Sequence, residues 1–293
     1  MQLVEWAGQE SHALADKSGR VIGVLAGKPR DRKWDPLMKD LEEQVRSARK
    51  KMTFSQKQRN NRRASGPSVA MGTSFGGGSQ CAEVPPKAPG TMAFYGVANC
   101  RILTKMTSSP SFQRLIGFTN CVFQCFAEKI FDLYDTTLQS LFESDPKLIR
   151  WFKKSVFSSV SFNLGPACVS WPHTDNYNLA FGWCAITALG QFDPDRGGHL
   201  ILWDLGLIIR FPPGSTILIP SALLTHSNLP IQKGEERYSI IQYSSSGLFR
   251  WDFLATRKRE EIEKREKDKK TRWGNGLKMF SLWNDICSRY TST

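Results

Sequence analysis

Two histidines and one aspartate in the second half of the chain have the types and spacing of a metal site. His173 and Asp175 stand two positions apart, so on an extended segment both side chains point to the same face. His226 follows at the end of a later apolar stretch. Two imidazoles and one carboxylate on one face of an octahedral ion leave the other positions open, which is typical of non-haem Fe(II) sites. The same ligands also suit catalytic zinc.

The order of short motifs around these residues carries more information than any one of them. The chain has four histidines, and His173, His199 and His226 fall in one region. A lone strand histidine is more often a structural residue than a ligand. The motifs in chain order are His173-Thr-Asp175, Gly197-Gly-His-Leu200, Pro212-Pro-Gly-Ser-Thr-Ile-Leu-Ile219, His226, Pro230-Ile-Gln-Lys-Gly234 and Arg237-Tyr-Ser239.

This series, over roughly residues 156–250, resembles the 2-oxoglutarate/Fe(II)-dependent oxygenases, whose core is a double-stranded β-helix. The resemblance implies that His173, Asp175 and His226 ligate Fe(II). It also implies that Arg237 binds the distal carboxylate of 2-oxoglutarate and that Ser239 adds a hydroxyl. Arginine suits that role because it offers two parallel charge-assisted bonds where lysine offers a point charge. A zinc site would not explain Arg237 and Ser239 at this place in the series.

The resemblance also implies a reaction. O₂ would be the co-substrate, a C–H bond would be hydroxylated, and succinate and CO₂ would be released. Related halogenases carry a small residue where this chain has Asp175, so the carboxylate favours hydroxylation.

Asn178 extends the motif to His173-x-Asp175-x-x-Asn178. That pattern is similar to the TET and base-J-binding-protein dioxygenases, which oxidise 5-methylcytosine or thymine in DNA. The resemblance implies that Asn178 binds the flipped target base, and an amide offers a base edge both a donor and an acceptor. The alternative is that Asn178 only caps the turn after the metal segment.

Two further observations bear on the family. The segment from Phe181 to Trp251 is also similar to a fungal branch of this superfamily. The chain lacks the cysteine-rich zinc-binding region of TET enzymes, which leaves the substrate open. A protein or small-molecule hydroxylase, and a catalytically inactive relative that binds nucleic acid or a partner, are the alternatives.

The composition favours an intracellular protein with a polyanionic partner. The net charge is +13 over 293 residues, and nucleic acid is the first candidate partner, although a basic chain also gains solubility. The seven cysteines are odd in number and lack C-x-x-C pairs, which argues against disulfides and a zinc knuckle. No apolar run reaches membrane-spanning length and no signal pattern opens the chain, so we expect no membrane partner. An intracellular location follows, and a DNA substrate would make it nuclear.

The coarse elements predict an α+β protein with a double-stranded β-helix core (jelly-roll or cupin-like), supported by N-terminal helices and followed by a basic helical tail. Short β-like runs with turn signals between them predict the core. The predicted strands are Val156–Leu164, Trp183–Leu189, His199–Trp203, Leu207–Phe211, Thr216–Pro220, Ala222–His226 and Arg237–Tyr243. The predicted divisions are 1–63 (a strand at 20–27, a basic helix at 34–52 and a basic tract from Arg46 to Arg63), 64–110 (a Gly/Ser/Pro-rich loop), 111–254 (a supporting helical region at 111–152 and the core) and 255–293 (a charged helical segment). The helical region at 111–152 is predicted by apolar residues at three-to-four spacing.

The glycine-rich run and three of the tryptophans each allow two interpretations. The glycine-rich run Thr73–Ser79 is either a flexible surface loop or a loop whose backbone approaches a ligand. Trp171, Trp183 and Trp203 either stack a base or belong to the core.

Overall fold

Two β-sheets lie face to face, and helices cover the outer side of the larger one. The computed structural model describes residues 1–59, 63–75, 89–92, 96–256 and 269–291. The larger sheet has the strand order β2-β3-β10-β7-β12-β6-β4-β5 and the smaller one β1-β9-β8-β11. The strands are β1 (Gln2–Val4), β2 (His12–Ala15), β3 (Val21–Gly27), β4 (Ser68–Ser74), β5 (Gly90–Met92), β6 (Ser159–Asn163), β7 (Cys184–Gln191), β8 (Leu200–Leu202), β9 (Leu207–Ile209), β10 (Thr216–Ile219), β11 (His226–Asn228) and β12 (Glu236–Tyr243).

Residue alternation along the central strands explains the layers. On β7, Cys184, Ile186 and Ala188 pack between the two sheets, whereas Ala185 and Leu189 pack against helices. Successive side chains of a strand point to opposite faces, so a strand covered on both faces buries nearly all of its side chains. This is why β7 and β10 appear in the sequence as mostly apolar runs.

The helices cover the outer face of the larger sheet. They are α1 (Trp34–Lys51), α2 (Gln56–Arg59), α3 (Gly96–Thr107), α4 (Pro110–Phe126), α5 (Glu128–Ser144), α6 (Ser246–Thr256), α7 (Lys269–Leu277) and α8 (Trp283–Thr291). Ser109 caps the start of helix α4: its side chain accepts from the Phe112 backbone N–H at 3.3 Å, and Pro110 lies in the first turn. Its apolar face buries Phe112 and Leu115 in one cluster with Phe162 of β6. Each such buried side chain contributes roughly 1.5–3 kcal/mol.

The β core is larger than the sequence predicted. Strand β3 pairs with β10 and β4 pairs with β6, so strands from the first third of the chain join the larger sheet. Strand β1 adds to the smaller sheet beside β9. The core therefore extends beyond residues 156–250. The predicted loop over 64–110 is also interrupted, because it contains β4 and helix α3.

One predicted strand is displaced. Residues 222–225 form a turn instead of a strand, because Leu223 and Leu224 both donate from the backbone to Pro220 O. The strand begins only at His226 and runs to Asn228. The predicted helical region at 111–152 is two helices that meet at Ala127 and end at Ser144.

The C-terminal part folds back onto the helical layer. Phe280 and Ile286 join the cluster around α4 and α5, and the Trp283 N–H donates to Gly19 O at 2.8 Å. Within the predicted charged helix, residues 257–268 lie outside the described residues, as do residues 76–79 of the glycine-rich run. In the described part of the chain, every helix is too short or too polar to cross a bilayer.

Candidate metal centre and co-substrate pocket

Backbone pairing brings the predicted metal ligands together. His173 and His226 form an isolated bridge in which each N–H donates to the other residue's carbonyl, at 3.1 and 2.9 Å. His226 opens β11, and β11 is held in the smaller sheet by its pairing with β8. The Asp175 N–H donates to Ser221 O at 2.9 Å. The turn before β11 therefore holds Asp175, and the bridge holds both imidazoles.

The three side chains form one cluster. Asp175 Oδ1 lies 3.8 Å from His173 Nε2, and Asp175 Oδ2 lies 4.0 Å from His226 Nε2. Neighbouring ligands that are each about 2.1 Å from one octahedral ion lie about 3.0 Å apart, so the three side chains would move closer by about 1 Å to share an ion. Among the described residues, these three form the only group of three or more histidine, cysteine or acidic side chains close enough to hold a metal.

Both imidazoles are prepared for metal binding. His173 Nδ1 lies 2.6 Å from Trp171 O, and His226 Nδ1 lies 2.9 Å from Leu224 O. A carbonyl can only accept, so Nδ1 carries the proton and Nε2 keeps its lone pair toward the cluster. Burial lowers the pKa of His226, which favours the neutral imidazole that binds metals.

An arginine that the sequence placed only in a basic tract reaches the cluster. Arg63 Nη1 lies 2.8 Å from Asp175 Oδ1. Its backbone carbonyl accepts from the Trp171 N–H at 2.8 Å, and Ala64 bridges Ser170. The segment at 63–65 therefore runs beside the metal segment. Apart from the basic tract, no sequence signal indicated this contact.

Arg237 is buried between the two sheets. It is 3% exposed, and its Cζ atom lies 5.9 and 6.0 Å from the ring centroids of Phe192 and Phe211. Its Nε atom is buried without a hydrogen-bond partner among the described residues. Burial lowers the pKa of Arg237 to about 10, so the guanidinium stays charged at neutral pH. An unpaired buried cation is costly, so the pocket fits an anion, and a carboxylate matches the guanidinium fork.

Ser239 shares the face of Arg237. The intervening Tyr238, like Ile240, packs on the helix side, so alternation directs Arg237 and Ser239 toward the smaller sheet. Ser239 is 4% exposed, and its Oγ accepts from Asn163 Nδ2 at 2.9 Å. The sequence predicted Arg237 and Ser239 together but missed Asn163, which no motif marked.

Asn178 lies in the turn after Asp175, and its backbone N–H donates to Asp175 O at 2.8 Å. Its Nδ2 donates to Ser221 Oγ at 3.1 Å and lies 3.5 Å from Asp175 Oδ2. These contacts support the alternative that Asn178 caps the turn after the metal segment. The amide oxygen has no hydrogen bond among the described residues and can accept from a ligand. Its role toward a base stays a prediction.

The remaining candidates from the sequence, His199 and three tryptophans, lie in different surroundings. His199 lies outside the metal cluster, because it precedes Leu200 and so faces away from the side of β8 that carries Leu202 and His226. Trp183 is 1% exposed and stacks on Phe123 in the core. Trp171 and Trp203 are 52% and 45% exposed.

Comparisons with known proteins place the fold. No protein-family model matches the chain, and no curated protein matches its sequence. Among solved structures, NgTET1 in complex with 5mC DNA superimposes with a TM-score of 0.56 at 12% identity, over 91% of this chain and 90% of that one. The structure of OsALKBH1 has a TM-score of 0.36 at 10% identity, over 70% of this chain and 92% of that one. A 2OG-Fe(II) oxygenase-family oxidoreductase from Burkholderia pseudomallei has 0.34 at 12% identity, over 71% and 89%.

The likeness to NgTET1 extends over almost the whole of both chains. It confirms the predicted α+β fold with its double-stranded β-helix core. The buried, unpaired Arg237 and the cluster of His173, Asp175 and His226 fit the two cofactors that the sequence predicted. The chain therefore has the fold of NgTET1, and it brings together the residues that the sequence predicted for Fe(II) and buries the arginine predicted for 2-oxoglutarate.

Proposed function

We propose that the protein is a Fe(II)/2-oxoglutarate-dependent dioxygenase that hydroxylates a methyl group on a DNA base, 5-methylcytosine or thymine, and releases succinate and CO₂. One observation supports the proposal most: a His-Asp-His cluster and a buried, unpaired arginine occur together in a TET-like fold. Fe(II) with the keto acid and O₂ supplies the oxidation of the C–H bond, coupled to decarboxylation of the keto acid.

The residues of the chain hold and orient the reactants. His173, Asp175 and His226 would bind the ion on one face and leave its other face to the co-substrates. Arg237 would bind the distal carboxylate of 2-oxoglutarate, and the Ser239 hydroxyl would donate a hydrogen bond to the same carboxylate. Burial of Arg237 excludes competing water, which strengthens the ion pair with the carboxylate.

The proposal that DNA is the substrate is supported by the positive charge of the chain and by Asn178. The chain has a net charge of +13, and the exposed residues Lys50, Lys51, Lys57 and Arg59 precede Arg63 along the chain. Such side chains neutralise phosphates. Asn178 Nδ2 is engaged by Ser221, so its amide oxygen would accept from a donor on the flipped base. NgTET1 was solved with 5mC DNA, which supports the same substrate here. With DNA as substrate, we expect a nuclear location.

The direct test is one reaction read in two ways. Purified protein is incubated with Fe(II), 2-oxoglutarate and methylated duplex DNA, and mass spectrometry measures succinate and the digested nucleosides. We expect oxidised bases and succinate in the wild type and neither in Asp175→Ala. Succinate that depends on Asp175 without oxidised bases would retain the oxygenase and reject the DNA substrate. Turnover with Zn(II) in place of Fe(II) would reject iron chemistry.

If folded, iron-loaded protein forms no succinate but binds DNA in a salt-sensitive way, the dioxygenase proposal fails. The inactive binding relative considered from the sequence would then be the better description.

A further inference from the structure

Asn163 lies at the end of β6, directly opposite Ser239 of β12 in the antiparallel register. Residues opposed in this way project to the same face of a sheet. For Ser239 that face is also the face of Arg237, two residues earlier on the strand. Asn163 thus borders the pocket of the buried guanidinium, and its Nδ2 donates to Ser239 Oγ at 2.9 Å.

This hydrogen bond determines what the Ser239 hydroxyl can do. A serine hydroxyl has one proton and two acceptor lone pairs. Asn163 occupies one lone pair, and among the described residues Ser239 Oγ donates its proton to none. The proton is therefore left for an acceptor that enters the pocket.

The spacing suits a carboxylate. Residues two apart on a strand project to the same face, so a carboxylate bound by the guanidinium can also accept from a hydroxyl two positions further along the strand. Arg237 and Ser239 have this spacing on one face, and both are almost fully buried, at 3% and 4% exposed.

We propose that Asn163 is a positioning residue of the co-substrate pocket, and that its donation to Ser239 Oγ directs the serine proton to the carboxylate bound at Arg237. The inference rests on the proposed function, because it takes the distal carboxylate of 2-oxoglutarate as the ligand. Asn163→Asp would have the opposite effect, since the new carboxylate would accept the hydrogen bond from the serine hydroxyl and add a negative charge beside an anion.

The test measures binding without turnover. 2-Oxoglutarate is titrated calorimetrically into Mn(II)-loaded protein. Asn163→Asp should weaken binding more than about tenfold, and Asn163→Ala, which only frees the hydroxyl, about fivefold. Ser161→Ala is the matched control, because Ser161 lies on the same strand and face and bonds to Ser68 instead. It should bind 2-oxoglutarate like the wild type.

A double-mutant cycle separates positioning from a general structural effect. In a Ser239→Ala background, Asn163→Ala should cause no further loss of affinity, because Asn163 acts through the missing hydroxyl. Additive losses, or unchanged affinity in Asn163→Asp, would overturn the inference while leaving the proposed function standing. Failure of folded, Mn(II)-loaded wild type to bind 2-oxoglutarate would overturn both.

Discussion

At the scale of residues, each important side chain of the site is held by a partner that fixes its chemical form. Carbonyls at Trp171 and Leu224 select the imidazole tautomer of the two histidines. Arg237 is the exception, because its Nε lacks a partner among the described residues and its burial is costly without an anion. The chemistry of the site therefore depends on which polar groups already have a hydrogen-bond partner and which one is left to bind a ligand.

Replacing Arg237 by lysine tests the guanidinium fork. Arg237→Lys keeps the charge but removes one of two parallel bonds to a carboxylate, so KM for 2-oxoglutarate should rise at least about tenfold. Succinate formation against 2-oxoglutarate concentration measures it. Arg210→Lys is the control, since Arg210 pairs with Asp195 at the surface. An unchanged KM in Arg237→Lys would place the keto acid elsewhere.

Arg63 competes with the metal for Asp175. Its Nη1 lies 2.8 Å from Asp175 Oδ1, and a nearby cation repels a divalent ion. Arg63→Gln should therefore tighten metal binding about fivefold, which corresponds to about 1 kcal/mol for a partly exposed ion pair. Metal titration followed by calorimetry measures this, with the exposed Arg59→Gln as control. Weaker binding in Arg63→Gln would show instead that Arg63 mainly holds the carboxylate in position.

At the scale of elements, the helices were the most predictable part and the turns the least. The spacing of apolar residues predicted a helical region from 111, and α4 begins at Pro110. The break between α4 and α5 falls at Ala127, which is fully buried. Alanine has the best helix propensity, so tertiary packing and not local preference divides the two helices. The turn at Pro220–Leu224 likewise replaces a predicted strand.

The start of α4 gives a stability prediction. The Ser109 side chain accepts from the Phe112 N–H, so Ser109→Ala should reduce the free energy of unfolding by about 1 kcal/mol. Urea unfolding followed by circular dichroism measures the change. Ser108→Ala is the control, because Ser108 is exposed and precedes the cap. Equal effects in the two variants would contradict the capping role of Ser109.

At the scale of the whole molecule, the net charge predicts how DNA binding depends on salt concentration. With a net charge of +13, binding should weaken steeply with salt because counterions are released from the phosphates. Lys57 and Arg59 are exposed next to the segment that carries Arg63. Their exposure and their nearness to Arg63 along the chain make them candidates for contact with the DNA backbone.

Neutralising that pair should change the salt dependence. In Lys57→Gln/Arg59→Gln, the slope of log affinity against log salt should become less negative by about 1.8, which is about 0.9 per lost phosphate contact. Fluorescence anisotropy at several salt concentrations measures the slope. Lys17→Gln, on the turn before β3, should leave the slope unchanged. A slope that is equal in all variants would exclude the basic tract from the interface.

The sequence by itself determined what is local: residue types, and pairs two apart on one strand. His173 with Asp175, and Arg237 with Ser239, share a face because alternation along an extended segment is a property of the backbone alone. Only the tertiary structure decided what depends on register between distant segments. Arg63 meets Asp175 across 112 positions and Asn163 meets Ser239 across 76. No local pattern encodes such contacts, because packing of the whole chain sets which strands become neighbours and at which residue they pair.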